Sequence, residues 1–104
     1  MAKPVVAPFV HRALGKMLRM TLAPDLNFDL TPEEASTLAR ALRAVTLDPE
    51  ITDTLYLSPL ASDDEFSAKV TRDGLEVTTA SGICILSWPD VVSLAEQLAP
   101  DNIH

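Results

Sequence analysis

The sequence predicts an α+β domain with two N-terminal helices, a three- to four-stranded antiparallel meander, and a C-terminal helix packed on one face of the sheet. Apolar residues recur at helical spacing near both ends of the chain, and apolar and polar residues alternate between them. Of the 104 residues, 47% are hydrophobic. This length fits a single domain over residues 1–104, with 1–7 and 100–104 expected to be frayed.

The first predicted helix runs from about Pro8 to Thr21. A proline is tolerated in the first helical turn, where its missing N–H would have no partner. The apolar stripe, at spacings of three and four residues, consists of Val10, Leu14, Met17 and Thr21. A basic ridge on a second face consists of Arg12, Lys16 and Arg19.

The second helix has the clearest start signal, the capping box Thr31-Pro32-Glu33-Glu34. Thr31 can accept a hydrogen bond from the N–H of Glu34, and the Glu34 side chain can accept one from the cap in return. The stripe expected to be buried consists of Ala35, Leu38, Leu42 and Val45.

The meander is predicted from alternation. A short strand over 54–58 precedes strands over 66–72 and 75–79, which are joined by an Asp73-Gly74 turn. This turn sets Val70 opposite Val77. The core face is expected to hold Phe66, Ala68, Val70, Leu75 and Val77. The next strand, 83–86, is apolar on both faces, which predicts a central strand or one whose second face is covered.

The last helix begins with a second capping pattern, in which Ser87 is the cap and Asp90 stands three residues later. Its stripe consists of Val91, Leu94, Ala95 and Leu98. Trp88 lies at the strand-to-helix corner, where it either packs in the core or serves as an interface anchor.

Cysteine usage and hydropathy predict a cytoplasmic protein. Cys84 is the only cysteine, so no disulfide framework forms within the chain. No segment approaches the roughly 18–20 consecutive apolar residues of a membrane span.

Catalytic and metal-binding patterns do not emerge from the sequence, so we expect a protein that is not an enzyme and uses no metal or cofactor. The two histidines, His11 and His104, are far apart in the chain, and the three glycines are isolated. Zinc sites need several Cys or His ligands, and phosphate loops need clustered glycines.

The charge of −7 is unevenly distributed. Residues 1–22 contain four basic residues and no acidic one, whereas residues 23–104 contain the other 4 basic residues and all 15 acidic ones, a net −11. The basic ridge has three interpretations: it faces water, it lies on an anionic surface, or it docks on the acidic remainder of this copy or a second one. Few cations and an acidic body argue against direct nucleic-acid or membrane binding.

An acidic stretch lies between Arg43 and Lys69, where no basic residue occurs. We take its candidate partner-binding residues to be Asp48, Glu50, Asp53, Tyr56, Asp63, Asp64 and Glu65. Such a stretch is either a solvated surface or a binding face for a basic partner, with tyrosine as an apolar anchor.

These features favour a non-enzymatic protein-binding module. Its most concrete form is an inhibitor or regulator that blocks a basic nucleic-acid-binding partner, as phage proteins directed against host defence do. The alternative is a self-associating structural or assembly subunit, in the simplest case a homodimer. A small enzyme or ligand-binding domain ranks third.

Overall fold

The structure, a computed structural model, describes residues 4–24, 26–61, 65–79 and 82–99. The described chain forms a three-stranded sheet, a four-stranded sheet and two helices, so the α+β class is correct. In chain order the elements are β1 (Val5–His11), β2 (Gly15–Ala23), β3 (Leu26–Leu30), α1 (Pro32–Leu47), β4 (Thr54–Leu57), β5 (Phe66–Val70), β6 (Gly74–Thr79), β7 (Gly82–Ser87) and α2 (Trp88–Leu98).

A β-hairpin stands where the first helix was predicted, so the arrangement with two N-terminal helices is wrong. Strands β1 and β2 pair antiparallel up to His11 and Gly15. Val10 and Leu14, which the helix would bury, are 78% and 41% exposed. The segment 1–7, expected to be frayed, includes the first residues of β1, while 1–3 and 100–104 lie outside the described residues.

Local chemistry explains the hairpin. The ring Nδ1 of His11 accepts hydrogen bonds from the backbone N–H groups of Ala13 and Leu14, at 3.0 and 3.1 Å. Gly15 closes the loop with φ of +78°, a conformation that glycine adopts at little cost. In β2 the buried residues Leu18, Met20 and Leu22 alternate with exposed or half-buried ones, which is the period of a strand, and Met17 before them is buried as well.

Strand β3 follows the same period and lies between the two segments for which helices were predicted. Leu26, Phe28 and Leu30 are buried, and Asn27 and Asp29 lie on the opposite face. The three-stranded sheet therefore has the order β1-β2-β3 and turns one apolar face to the helices.

Helix α1 confirms its predicted start. The N–H of Glu34 donates to Thr31 Oγ1 at 3.1 Å, and the N–H of Thr31 donates to Glu34 Oε1 at 2.9 Å. The buried stripe contains all four expected residues, with Ala39 in addition: Ala35, Leu38, Ala39, Leu42 and Val45.

The predicted meander corresponds to the second sheet, in the order β4-β5-β6-β7. Its register differs from the prediction by two positions, because Val70 lies opposite Leu75 instead of Val77. The turn is Arg72-Asp73, since Thr71 donates its N–H to the Gly74 carbonyl at 2.8 Å. A shift of two residues leaves every side chain on the same face, so Phe66, Ala68, Leu75 and Val77 are buried as expected, while Val70 is half-buried against the core.

Helix α2 also begins as predicted, with the N–H of Asp90 donating to Ser87 Oγ at 3.4 Å. Trp88 packs against the core, and its indole Nε1–H donates to the carbonyl of Arg72 at 2.9 Å. The structure thus places this tryptophan half-buried at the corner between strand and helix.

Strand β7 is an edge strand, contrary to the expectation of a central or covered one. Cys84 and Leu86 face the core, whereas Ile83 and Ile85 on the other face are 64% and 67% exposed. Strand order follows from tertiary pairing, so an apolar pattern alone does not show which strand lies at the edge.

The core lies between the two sheets and the two helices as one cluster. The rings of Phe28 and Phe66 link the sheets, with centroids 5.7 Å apart and planes at 80°. Within the part of the chain described, neither helix is long and apolar enough to cross a membrane.

Candidate functional site

The first half of the acidic stretch lies in the connection between α1 and β4. The Asp48 carboxylate accepts the N–H of Glu50 at 3.2 Å, and the N–H of Ile51 donates to the Asp48 carbonyl at 3.1 Å. This turn holds the acidic side chains in the exposed connection. The carbonyl of Asp53 accepts the N–H of Val70 at 2.8 Å, which ties the end of the connection to the second sheet.

The second half of the stretch meets β4 at its other end. Glu65 immediately precedes β5, and Leu57 pairs with Phe66. Tyr56, 60% exposed, points away from the core, and a hydrogen bond to Glu65 raises the pKa of its phenol. Asp63 and Asp64 lie outside the described residues.

Acidic groups therefore stand at both ends of β4, one of the two edge strands of the second sheet. Asp53 and Ser58 are five residues apart, a separation of about 16 Å at the rise per residue of a strand. Glu65 lies toward the Ser58 end, because the next residue, Phe66, pairs with Leu57. We call this surface the acidic rim and define it by Asp48, Glu50, Asp53, Tyr56 and Glu65.

The outer face of the second sheet continues from the acidic rim to β7. Pairing places Tyr56 beside Ser67, and places Lys69 between Thr54 and Glu76. Ile85 follows Glu76 on the far edge. The face is thus polar in its middle strands and apolar at β7.

The three residues of the predicted basic ridge do not share a face. Arg12 lies in the turn of the hairpin, and Lys16 and Arg19 on β2 differ by an odd number of residues, which directs them to opposite faces of the sheet. A strand period of two replaces the helical spacing that grouped them, so the second basic face is not assembled.

Arg19 is engaged within its own sheet. Its Nε lies 2.8 Å from Asp29 Oδ1, and its guanidinium carbon lies 4.8 Å from the centre of the Phe9 ring. The hydrogen bond to Asp29, with the charge of that carboxylate, raises the pKa of Arg19. The charge of Arg19 is therefore paired within the molecule and does not form a basic binding surface.

An open groove of about 740 Å³ lies beside the start of α1. Glu34 crosses one end of it: Oε1 accepts the Thr31 N–H, and Oε2 accepts the Leu60 N–H at 2.9 Å. The Glu34 carboxylate therefore links the start of α1 to the backbone at Leu60. The lining contains Glu33 and Glu34 but not His11, so this groove does not bring histidine and carboxylates together.

The remaining reactive groups have structural surroundings. His11 accepts the turn hydrogen bonds described above, and His104 lies outside the described residues. Partial burial raises the pKa of the Cys84 thiol, which lies 3.7 Å from the Leu22 carbonyl oxygen. Among the described residues no three His, Cys, Asp or Glu side chains are grouped so that they could hold a metal ion.

Sequence reasoning missed three features of the sheet edges. Ile83 and Ile85 form the exposed side of β7. The sequence did not indicate this exposure, because the neighbouring residues Cys84 and Leu86 are apolar too. Gln97 on α2 bonds to the backbone of β1, and the hydroxyl of Thr52 bonds to the backbone of Thr54. These last two contacts depend on tertiary structure or on local turn geometry, and no residue pattern pointed to them.

Comparison with known proteins does not extend this description: no protein-family model, curated protein or solved structure matches the chain.

Proposed function

We propose that the protein is a non-enzymatic binding module that uses the acidic rim to cover a basic, nucleic-acid-binding surface of a partner protein. The observation that carries the proposal is the placement of carboxylates at both ends of the exposed strand β4, with Tyr56 between them. An inhibitor or regulator of this kind, the phage anti-defence type included, acts by occupying the surface that nucleic acid would occupy.

The charge pattern supports this partner class. Each DNA strand carries one backbone phosphate for about every 3.4 Å of helix axis, and proteins that bind DNA present matching cations. The acidic rim spreads its carboxylates over about 16 Å, as estimated from the strand rise. It can therefore meet several cations of one basic channel at once. Complementary charges of this kind mainly accelerate association and select the partner.

Tyr56 supplies the apolar part of the surface. Tyrosine is enriched among the residues that dominate binding energy at interfaces. Its ring is 60% exposed, and the hydrogen bond to Glu65 orients its hydroxyl. An ordered aromatic side chain loses less conformational entropy on binding than a mobile one.

The reactive groups favour binding over catalysis. The imidazole of His11 is occupied by the hairpin turn, and the Cys84 thiol is partly buried with a raised pKa, which disfavours the nucleophilic thiolate. A cytoplasmic setting is part of this proposal, since nucleic-acid-binding partners of this class occur there.

The test uses the immobilised protein and elution with duplex DNA. Proteins retained from lysate should include one that DNA displaces and that the double variant Asp53→Asn/Glu65→Gln retains much less well. Glu96→Gln, which removes an acidic charge from α2, is the control and should retain it fully. If no retained protein responds to both the DNA and the double variant, the proposal is wrong.

A further inference from the structure

We propose that two copies of this chain pair antiparallel through the edges of their β7 strands, forming a two-fold dimer with one continuous sheet across both copies. The inference rests on which backbone groups β7 presents at its edge, on its uncharged sequence and on the exposed isoleucines. It is independent of the acidic rim, which borders the opposite edge of the same sheet.

The ladder of the second sheet shows which groups face the edge. The N–H of Thr71 donates to the carbonyl of Gly74, so the backbone groups of Gly74 point toward β5. Successive residues of a strand alternate in direction, so those of Leu75 point toward β7, where Leu75 pairs with Leu86. The Leu86 carbonyl oxygen indeed lies against Gly74.

The same alternation along β7 turns the backbone groups of Ile83 and Ile85 away from β6. The register of β6 and β7 is continuous, so no bulge interrupts the alternation. In the described part of the chain, no hydrogen bond reaches these edge-facing groups from another element. Each copy thus offers two N–H donors and two carbonyl acceptors along one edge.

These groups are complementary to themselves in one register. When Cys84 lies opposite Cys84 of the second copy, each Ile83 faces the other copy's Ile85, and all four edge-facing residues are hydrogen-bonded. The isoleucine side chains of both copies then lie on the same face as neighbouring pairs. This arrangement covers side chains that are 64% and 67% exposed in one copy.

The other edges carry features that oppose strand addition. On β1, Gln97 accepts the N–H of Val6 at 2.9 Å and donates to the Pro4 carbonyl at 3.1 Å. Pro8 on the same strand has no N–H to offer.

On β4, the hydroxyl of Thr52 donates to the Thr54 carbonyl at 3.1 Å and accepts the Thr54 N–H at 3.4 Å. Acidic residues flank this strand, and β3 carries Asp29. Charges, prolines and capped backbone groups are the usual protection of exposed edges, and β7 has none of them.

Charge also favours β7 as the contact between copies. Each copy has a net charge of −7, so two copies repel wherever acidic surfaces meet. Residues 82–87 contain no charged side chain. The nearest acid on the adjacent strand, Glu76, stands opposite the cation Lys69 in the register of β5 and β6.

Sedimentation equilibrium over a range of concentrations tests the dimer. The wild-type mass should rise from 11.2 kDa toward twice that value. Ile85→Lys should weaken association by about tenfold or more, because the charge would be placed at the apolar seam. Thr78→Lys, on the same face but one strand away, should associate like wild type. A wild-type chain that stays monomeric, or an effect of equal size from both variants, overturns the proposal.

The register has its own test in Cys84. Directly opposed residues of a pair without mutual hydrogen bonds have Cα atoms about 4.5 Å apart, which is within disulfide range. Copper phenanthroline, as the oxidant, should therefore link two chains through Cys84 in the dimer, and Ile85→Lys should suppress the product. Samples that sediment as dimers but form no such disulfide contradict the register.

Discussion

Replacing Gly74 by alanine probes the closest backbone approach in the second sheet. A Cβ at this position would overlap the carbonyl oxygen of Leu86 and stand 3.0 Å from both the Leu86 carbonyl carbon and the Ser87 Cα. All three are backbone atoms of β7, which moves only if the strand ladder moves. Gly74 also has φ of +147°, a conformation that other residues rarely adopt.

The expected cost of this substitution has two parts. The backbone conformation contributes about 1–3 kcal/mol of strain for a residue with a side chain. Overpacking against β7 contributes about 1–3 kcal/mol more. Gly82→Ala carries only the first part, because Gly82 has φ of +141° and no atom within 4 Å of the added Cβ. The difference between the two variants therefore isolates the overpacking cost.

Thermal unfolding followed by circular dichroism measures the difference between these two variants. Both substitutions reduce the entropy of the unfolded chain equally, so that contribution cancels. A steric cost of at least about 1 kcal/mol lowers the Tm of Gly74→Ala by about 4–8 °C below that of Gly82→Ala. Equal melting temperatures would refute the close approach of Gly74 to the backbone of β7.

Three further substitutions test individual contacts. Glu34→Ala should lower the free energy of unfolding in urea by about 1–2 kcal/mol, because the capping box and the hydrogen bond to Leu60 are both lost; an unchanged midpoint would contradict this. The phenolate absorbance of Tyr56, the only tyrosine, should appear at higher pH than in a free peptide, and in Glu65→Ala it should shift back toward the peptide value. Because the pKa of Tyr56 is raised in the folded state, the contact stabilises the fold at pH values below the ordinary tyrosine pKa. This stabilisation is lost as the pH rises through the raised pKa of the folded state. Gln97→Ala should speed amide exchange at the start of β1, and unaltered exchange would show that the side chain does not hold that edge.

Both helix starts could be predicted because their signals are local. The bonds between Thr31 and Glu34, and between Ser87 and Asp90, join residues only three apart, so the sequence contains both partners at fixed spacing. Such caps contribute about 1 kcal/mol each wherever the helix lies in the fold.

The N-terminal hairpin could not be distinguished by the same reasoning. Met17, Leu18, Met20 and Leu22 are all buried, and this crowded run fits a helical stripe as well as a strand. The arrangement is decided by pairing with β3, where Leu18 meets Leu30. The alternation in 26–30 was the available signal for that partner strand.

The candidate site was predicted in composition but not in geometry. The acidic stretch was visible in the sequence, whereas the contact of Tyr56 with Glu65 depends on the pairing of β4 with β5. The prediction of a basic ridge was wrong because Lys16 and Arg19 lie on opposite faces of a strand, and Arg19 forms a salt bridge with Asp29.

The measurement that most directly tests the acidic rim as a binding surface is an amide chemical-shift map recorded while an arginine-rich peptide is added. If the acidic rim is the binding surface, the largest shifts occur in 48–57 and 65–69 and diminish with added salt. Acidic residues also occur elsewhere, at Glu33, Asp73 and Glu96, so unspecific attraction would spread the shifts over those positions. Shifts that are spread in this way, or that centre on α1 or α2, would contradict the proposed surface.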